Sequence, residues 1–343
     1  MVEAGVEVFV IGNEGSEPLR RSRFCKQFIR SRFEFDGSQT PTMVEEINGA
    51  IKELGIDIVF PGDAPSARTF HGLKEHLMAR PFPGPSLEQF DFLNDKSKFG
   101  KLCERLDICC PQSWLFQTKD ELGDWLRSQD EGLSFILKPI DWDASRGVMK
   151  VKATEREKSL ANVDYSPILV QQLIEGEDVG ASMYAESGRV LAFIAHSFDR
   201  HTYKTFSAPG IRRDLERIAN EMGLDGVYNF DMMRAADGKI YFLECNPRFY
   251  FKMAMTAAAG LNFVRPGLHP GSDLLPDTLP DGTQVRFPIS FIDWFYRPWV
   301  LSKQDMHMFR MLWADPVPYI RESLHIDWEI PERRLSNLIR LGR

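Results

Sequence analysis

Nowhere in this chain do about 18 apolar residues follow one another, the length a helix needs to cross a bilayer. The first residues also lack the charged-then-apolar pattern of a secretory signal. No block of Lys or Arg stands out, and the net charge is −7. That disfavours nucleic acid as the main partner, because phosphate backbones are met by clustered cations. Cysteine is scarce: Cys25, Cys103, Cys109, Cys110 and Cys245 are odd in number and show no CxxC spacing. Neither a disulfide framework nor a zinc site is expected, and small buried thiols in a reduced cytoplasmic protein are. No internal repeat is present, which sets aside an array of stacked units.

What is present fits a globular protein. At 343 residues, with 43% hydrophobic and 27% charged residues, the chain is too long for one ordinary core, so two or three packed units are expected. "VEVFVIG" (6–12) reads as a strand. "MVEEINGAIKELG" (43–55) puts Met43, Ile47, Ala50, Ile51 and Leu54 on one helical face, closed by Gly55. "IDIVFPGD" (56–63) reads as a buried strand running into a loop. Strand, helix and strand at this spacing suggest a small parallel α/β unit, ending at the Pro/Gly-rich "RPFPGPS" (80–86).

Helices come next over about 86–106, and Thr118 with Glu121 forms a capping box opening "KDELGDWLRSQ". From 133 onward the segments "LSFILKP", "GVMKVKA", "PILVQQLI", "DVGASMYAE" and "RVLAFIAHSF" read as strands. A helix at about 211–223, strands at 227–234 and 239–246, and a helix at about 251–260 complete an α+β unit rich in antiparallel strands. The expected division is 1–87, an α/β domain; 88–268, the α+β domain, with a smaller subdomain at about 112–172; and 269–343, an extension packed on the core. "DWFYRPW" (293–299) in that extension reads only as packing or a partner surface.

The chemistry is concentrated in "YFLECNPRFYF" (241–251). A greasy strand ends in Glu244, Asn246 and Arg248. The preceding Asp237–Gly238 pair predicts a tight type I′ turn, since both central positions need positive φ. Centring the turn there sets Asp231 opposite Glu244, with Asn246 on the same face as Glu244. Two facing carboxylates repel. A divalent cation would offset that, because Asp231, Glu244 and Asn246 offer hard oxygens on one surface; solvated hairpin residues are the plainer alternative.

"FDMMRAADGKIYFLECNPR" (230–248) resembles the metal-binding hairpin of the ATP-grasp superfamily, which includes biotin carboxylase, carbamoyl phosphate synthetase and D-alanine–D-alanine ligase. The resemblance implies that Asp231, Glu244 and Asn246 hold Mg²⁺, or Mn²⁺ in its place, on the phosphates of ATP. It also implies that Arg248 meets the phosphate or an acyl phosphate. Many relatives have Glu where this chain has the shorter Asp231. Lys138 in "FILKP" and Lys96 in "NDKSKFGKL" match the family's two phosphate-binding lysines. "PILVQQLIEGEDVGASM" resembles the hinge that receives adenine: the backbone of Gln172 and Leu173 would meet the base edge, and Asp178, with Glu177 in reserve, the ribose. "IDWDASRGVMKV" stands where relatives have a glycine-rich lid, here reduced to Ser145, Arg146 and Gly147.

The resemblance carries expectations for the whole chain. The fold expected is an α/β unit with a parallel sheet, lacking the first strand and glycine-rich turn that such enzymes usually open with, followed by an ATP-grasp fold with antiparallel sheets. A sheet edge left uncovered would suit a partner chain, as in a homodimer. The implied activity is an ATP-dependent ligase joining a carboxylate to an amine, or another nucleophile, through an acyl phosphate, with Arg248, Arg200 and Lys204 as the cations for the carboxylate. His196 and His201 lie in the same stretch as Arg200 and Lys204. Phe249, Tyr250 and Phe251 stand where relatives have small residues; they would line an apolar acceptor pocket or serve as core for the following helix, the latter slightly favoured. A non-catalytic nucleotide-binding protein and a phosphotransferase are the alternatives. The substrates expected are small molecules; neither nucleic acid nor membrane is expected as partner.

Overall fold

The computed structural model describes residues 5–130, 133–142, 145–152, 156–199, 202–269, 275–286 and 301–317. The chain forms two units, Met1–Phe35 with Ser290–Arg343, and Asp36–Ile289.

In the first unit, β1 (Val8–Gly12) pairs in parallel with β2 (Cys25–Arg30), and a 3-10 segment, Glu14–Arg21, lies between them in the chain. A helix at Lys303–Ala314 opens with a capping box between Ser302 and Asp305. "DWFYRPW" lies outside the described residues.

The second unit opens with α1 (Pro41–Leu54). Thr40 accepts from the Met43 N–H at its start, Met43, Ile47 and Ile51 are buried, and Gly55 closes it at φ 64°. Such a left-handed cap favours glycine. Then come β3 (Ile58–Val59), α2 (Ala64–Gly72) and β4 (Arg80–Pro81), with β4 parallel to β3. The single parallel unit expected for the N-terminal region is instead two separate two-stranded parallel pairs, one in each unit. Pairing of "IDIVFPGD" is confined to Ile58 and Val59, just ahead of Pro61, which has no N–H to donate.

After α3 (Leu87–Asn94) and α4 (Lys96–Arg105) the chain builds a small antiparallel sheet. It comprises β5 (Ser113–Phe116), β6 (Phe135–Pro139), β7 (Met149–Val151) and β8 (Ile168–Gln172), in the order β5-β8-β6-β7. Two helices belong to this stretch, α5 (Lys119–Ser128), opened by the expected Thr118–Glu121 capping box, and α6 (Arg156–Ala161). Leu122, Leu126, Phe135, Leu137, Ile168 and Val170 form its core, with Trp114 and Trp125 packed on it.

The larger sheet holds β9 (Gly176–Glu186), β10 (Arg189–Asp199), β11 (Thr202–Thr205), β12 (Gly226–Ala235), β13 (Ile240–Asn246) and β14 (Gln284–Arg286), in the order β13-β12-β9-β10-β11-β14. Every described pairing in it is antiparallel. The helices of this stretch are α7 (Pro209–Met222), α8 (Met253–Ala259) and α9 (Arg265–Leu268).

Side chains alternate across a strand, and here the alternation separates two chemistries. Val179, Ala181, Met183, Phe193, Ala195, Tyr228, Phe230, Met232 and Cys245 share one core with Phe99 and Leu102 of α4 and Ile211, Leu215 and Ile218 of α7. The intervening positions, Ser182, His196, Asn229, Asp231, Glu244 and Asn246, take the opposite face. Among the described residues no helix is long and apolar enough to cross a membrane.

Candidate active site

Asp231 sits directly opposite Glu244, as the hairpin reading requires, but by another route. The turn is not a two-residue type I′ turn. Ala235 N–H donates to Lys239 O, Gly238 N–H donates to Ala235 O, and in the turn only Gly238 has positive φ, at 83°. That is a three-residue loop, which alone would slide β13 by one position and turn Glu244 to the apolar face. A bulge corrects it. Met232 pairs with Phe242 while Asp231 pairs with Glu244, so Leu243 is the extra residue.

Four basic side chains converge on the two acids. Lys96, near the start of α4, places Nζ 3.4 Å from Glu244 Oε2 and donates to the Trp142 carbonyl at 2.8 Å. Lys138 is buried on β6 and feels the charges of Glu244, Lys96 and Asp231. Lys252, just ahead of α8, places Nζ 3.9 Å from Asp231 Oδ1. Arg248 donates to Asn246 Oδ1 at 3.2 Å, while Asn246 Nδ2 donates to Asp231 Oδ2 at 3.0 Å.

The acids are not equivalent. Burial, then the facing charge of Glu244, pushes Asp231 up to about 6. Burial would also raise Glu244, but Lys96 and Lys138 outweigh it and hold its carboxyl below the usual range. Burial draws Lys138 down to about 8 against the pull of Glu244. Each step follows from desolvation set against a neighbouring charge.

Behind the acids runs a buried polar chain. His196 Nε2 and Tyr250 Oη are 2.9 Å apart, Tyr250 Oη lies 3.4 Å from Ser182 Oγ, and Ser182 donates to Asn229 Oδ1 at 2.7 Å. Asn229 Nδ2 then donates to the Arg248 carbonyl, which pins the Asn246–Pro247–Arg248 turn to the sheet. Tyr203 packs against His196, with ring centres 4.5 Å apart and ring planes tilted by 32°. Gly180 makes room for that imidazole, since a Cβ there would lie 2.7 Å from His196 Cε1.

The remaining predicted residues divide. Ser145 (φ 57°) and Gly147 (φ 69°) bracket Arg146 in a tight turn between β6 and β7. Tyr165 Oη donates to the Gly147 carbonyl at 2.8 Å, and the Arg146 guanidinium lies 5.9 Å from the Trp142 ring centre. Because Lys96 holds the Trp142 carbonyl, this loop is tied to the acid cluster. The hinge amides are engaged within the fold: Gln172 N–H donates to Gln112 O and Leu173 N–H to Ser134 O. Asp178 is exposed, while Glu177 is paired with Arg234. A cavity of about 460 Å³ lined by Glu175, Gly176, Glu177, Arg234 and Gly238 opens at the turn end of β12 and includes neither acid.

Lys204 is not brought to the acids. It is exposed on β11 between buried Tyr203 and Thr205, whose side chains take the His196 side, so alternation sends Lys204 to the other face. Arg200 and His201 lie outside the described residues. Phe249 packs on Phe60 and Phe82 with ring centres 6.0 and 5.9 Å away, and Tyr250 is taken up by the polar chain. Lys252, Ser182 and Asn229 were not anticipated. The one available signal was a lone cation following three aromatics.

Among the described residues no group of three or more His, Cys, Asp or Glu side chains gathers to hold a metal. The acids are a pair with one amide beside them. That donor set suits Mg²⁺, which takes one or two carboxylates and completes its shell with water and substrate phosphates.

Residues 164–285 match the family model described as ATP-grasp in the biosynthetic pathway with Ter operon. The large chain of carbamoyl phosphate synthase from Deinococcus deserti is 26% identical over 190 residues, covering 49% of this chain and 18% of that protein. The chain thus spans about a fifth of the length of the curated relatives it matches. Among solved structures, the biotin carboxylase domain of 2-oxoglutarate carboxylase from Hydrogenobacter thermophilus, in complex with MgADP, ADP and bicarbonate, superposes with a TM-score of 0.58. It is 17% identical, covering 77% of this chain and 64% of that one. L-amino acid ligase from Bacillus licheniformis gives 0.59 at 16% identity, covering 78% and 68%. At these identities the structures speak for the fold.

Proposed function

We propose that this chain, which belongs to the ATP-grasp superfamily, is an ATP-dependent ligase that joins a carboxylate to an amine, or another nucleophile, through an acyl phosphate. The observation that carries the proposal is the polar sheet face on which Asp231 and Glu244 oppose each other among Lys96, Lys138, Arg248 and Lys252. Such a cluster has no use as core. It matches the charge of a triphosphate and of a second anion brought to it.

A carboxylate oxygen of the acid attacks the γ-phosphorus, the bond to the bridging oxygen breaks, and ADP leaves. The amine nitrogen then attacks the acyl carbon, phosphate leaves, and the amine proton passes to water. Lys96 and Lys138 serve as point charges on the α- and β-phosphates. Arg248, fixed by the Asn229 contact to its carbonyl, faces the transferring group. Asp231, Glu244 and Asn246 would hold Mg²⁺, or Mn²⁺ in its place, which supplies charge neutralisation on the phosphates. Ser145, Arg146 and Gly147 cover the phosphates. Gln172 and Leu173 border the base, and Asp178 takes the ribose because Glu177 is occupied by Arg234. The protein's part is positioning and electrostatics. A cytoplasmic protein, assembled as a homodimer, goes with this reading.

A second reading, a nucleotide-binding protein without turnover, is favoured by the lid between β6 and β7, whose segment 140–151 carries the single glycine Gly147. Hydroxylamine separates the two, because it traps acyl phosphates as hydroxamates. With Mg-ATP and a panel of carboxylic acids, a ligase gives hydroxamate and ADP in equal amounts for at least one acid. ATP binding without hydroxamate from any acid would favour the second reading.

A further inference from the structure

Residues 249–252 leave the Arg248 turn in different directions. Phe249 packs into the aromatic cluster with Phe60 and Phe82, and Tyr250 is tied to His196 and Ser182. Pinned on both, the loop cannot rotate to bury the next side chain. Phe251 is accordingly 67% exposed, edge-on to Phe198 at 6.0 Å. Lys252 turns back, its side chain only 14% exposed. Its Nζ lies 5.5 Å from the Phe198 ring centre and 5.7 Å from those of Tyr250 and Phe251.

This juxtaposition is a cation and an open aromatic surface at the rim of the acid pair. Lys252 stands 3.9 Å from Asp231, longer than the 2.7–2.9 Å of a tight charge-assisted bond. Its ammonium therefore keeps donors for a second anion. A large exposed phenyl ring contributes little to folding, and a flat apolar group laid against it would leave water.

We propose that Lys252, Phe251 and Phe198 form the subsite for the acid substrate, with Lys252 taking the carboxylate and the two rings taking an aromatic side group. The subsite selects aromatic carboxylic acids over small or dicarboxylic ones. It rests on the ligase reading, since it places the acid next to where the γ-phosphate would lie. Lys252 is a substrate-contacting residue and Phe251 a specificity-determining one.

The test is binding of phenylacetate, with acetate as control, by saturation-transfer NMR in the presence of Mg²⁺ and a non-hydrolysable ATP analogue. Wild type should bind phenylacetate about tenfold or more tightly than acetate. Phe251→Ala, a surface change, should cut that preference to about threefold or less and leave acetate unchanged. Lys252→Met should weaken both acids about tenfold, and Lys252→Arg should recover most of the loss. Equal affinity for the two acids in wild type, or an undiminished preference in Phe251→Ala, overturns the subsite while leaving the ligase reading intact. Binding of the nucleotide analogue with neither acid binding overturns the subsite as well. If the analogue itself fails to bind, the ligase reading falls and the subsite with it.

Discussion

At the scale of single residues, Glu244 is the group on which the site turns. It is the acid held ionised, by Lys96 and Lys138, while Asp231 is pushed up. Glu244→Gln should therefore weaken Mg-ATP binding at least about 30-fold, whereas Asp178→Asn, at the exposed hinge acid, should cost about threefold. Titration calorimetry on the folded variants reads both. Gly180 is the second test. A Cβ there would stand 2.7 Å from His196 Cε1 and 3.1 Å from the Phe230 carbonyl. Gly180→Ala should lower stability by about 1–3 kcal/mol, measured by urea denaturation, because a backbone atom cannot move aside as a flexible side chain can. Nothing in the sequence marked this glycine, since its partner lies sixteen residues away on a neighbouring strand. The acids, the amide and the arginine could be read because they fall within one hairpin. Lys96 and Lys138 could be read from the family resemblance, and the structure brings both to Glu244. Lys252 and the His196–Tyr250–Ser182–Asn229 chain could not, since they meet only after four strands have paired.

At the scale of elements, long periodic segments were legible, as were the short strands β1, β6, β7 and β8, while four other short strands were not. α1, α7 and the strands β9, β10, β12 and β13 carry enough apolar positions to declare their period. The strands Cys25–Arg30, Ser113–Phe116, Thr202–Thr205 and Gln284–Arg286 are three to six residues long. Pairing decides these four, not local pattern. The hairpin shows how a right pairing arises from a wrong turn: the three-residue loop shifts the register and the bulge at Leu243 shifts it back. Gly238→Ala, at φ 83°, should then cost about 1 kcal/mol of stability and leave Mg-ATP affinity within about twofold, because the bulge, not the turn, sets the acids opposite each other. The capping box of α5 is a separate device. Thr118→Ala removes the acceptor for the Glu121 N–H and should cost about 1 kcal/mol, with both losses read from urea midpoints.

At the scale of the whole molecule, pH should act through a histidine outside the site. His71 is buried on α2, neither ring nitrogen has a hydrogen-bond partner among the described residues, and its ring lies 5.4 Å from Phe90. Burial, helped by Lys74, lowers it from 6.5 to about 4. Between those values the unfolded chain binds a proton that the folded chain refuses, so the contribution of His71 to stability falls as pH falls from about 6.5 to about 4, by about 3 kcal/mol, while Asp231, raised to about 6, works in the opposite direction. His71→Leu should gain on wild type by that amount between pH 7 and pH 4, seen as converging or crossing urea midpoints; parallel curves would mean that His71 is not held neutral.

The most direct test of the account is calorimetric titration of ATP into the wild-type protein and into Glu244→Gln, each with Mg²⁺ and with a chelator. The account predicts Mg²⁺-dependent binding to wild type that is lost on chelation and in the variant. Binding that ignores Mg²⁺, or that survives in Glu244→Gln, would contradict the assignment of the Asp231–Glu244 pair as the place where metal and phosphate meet.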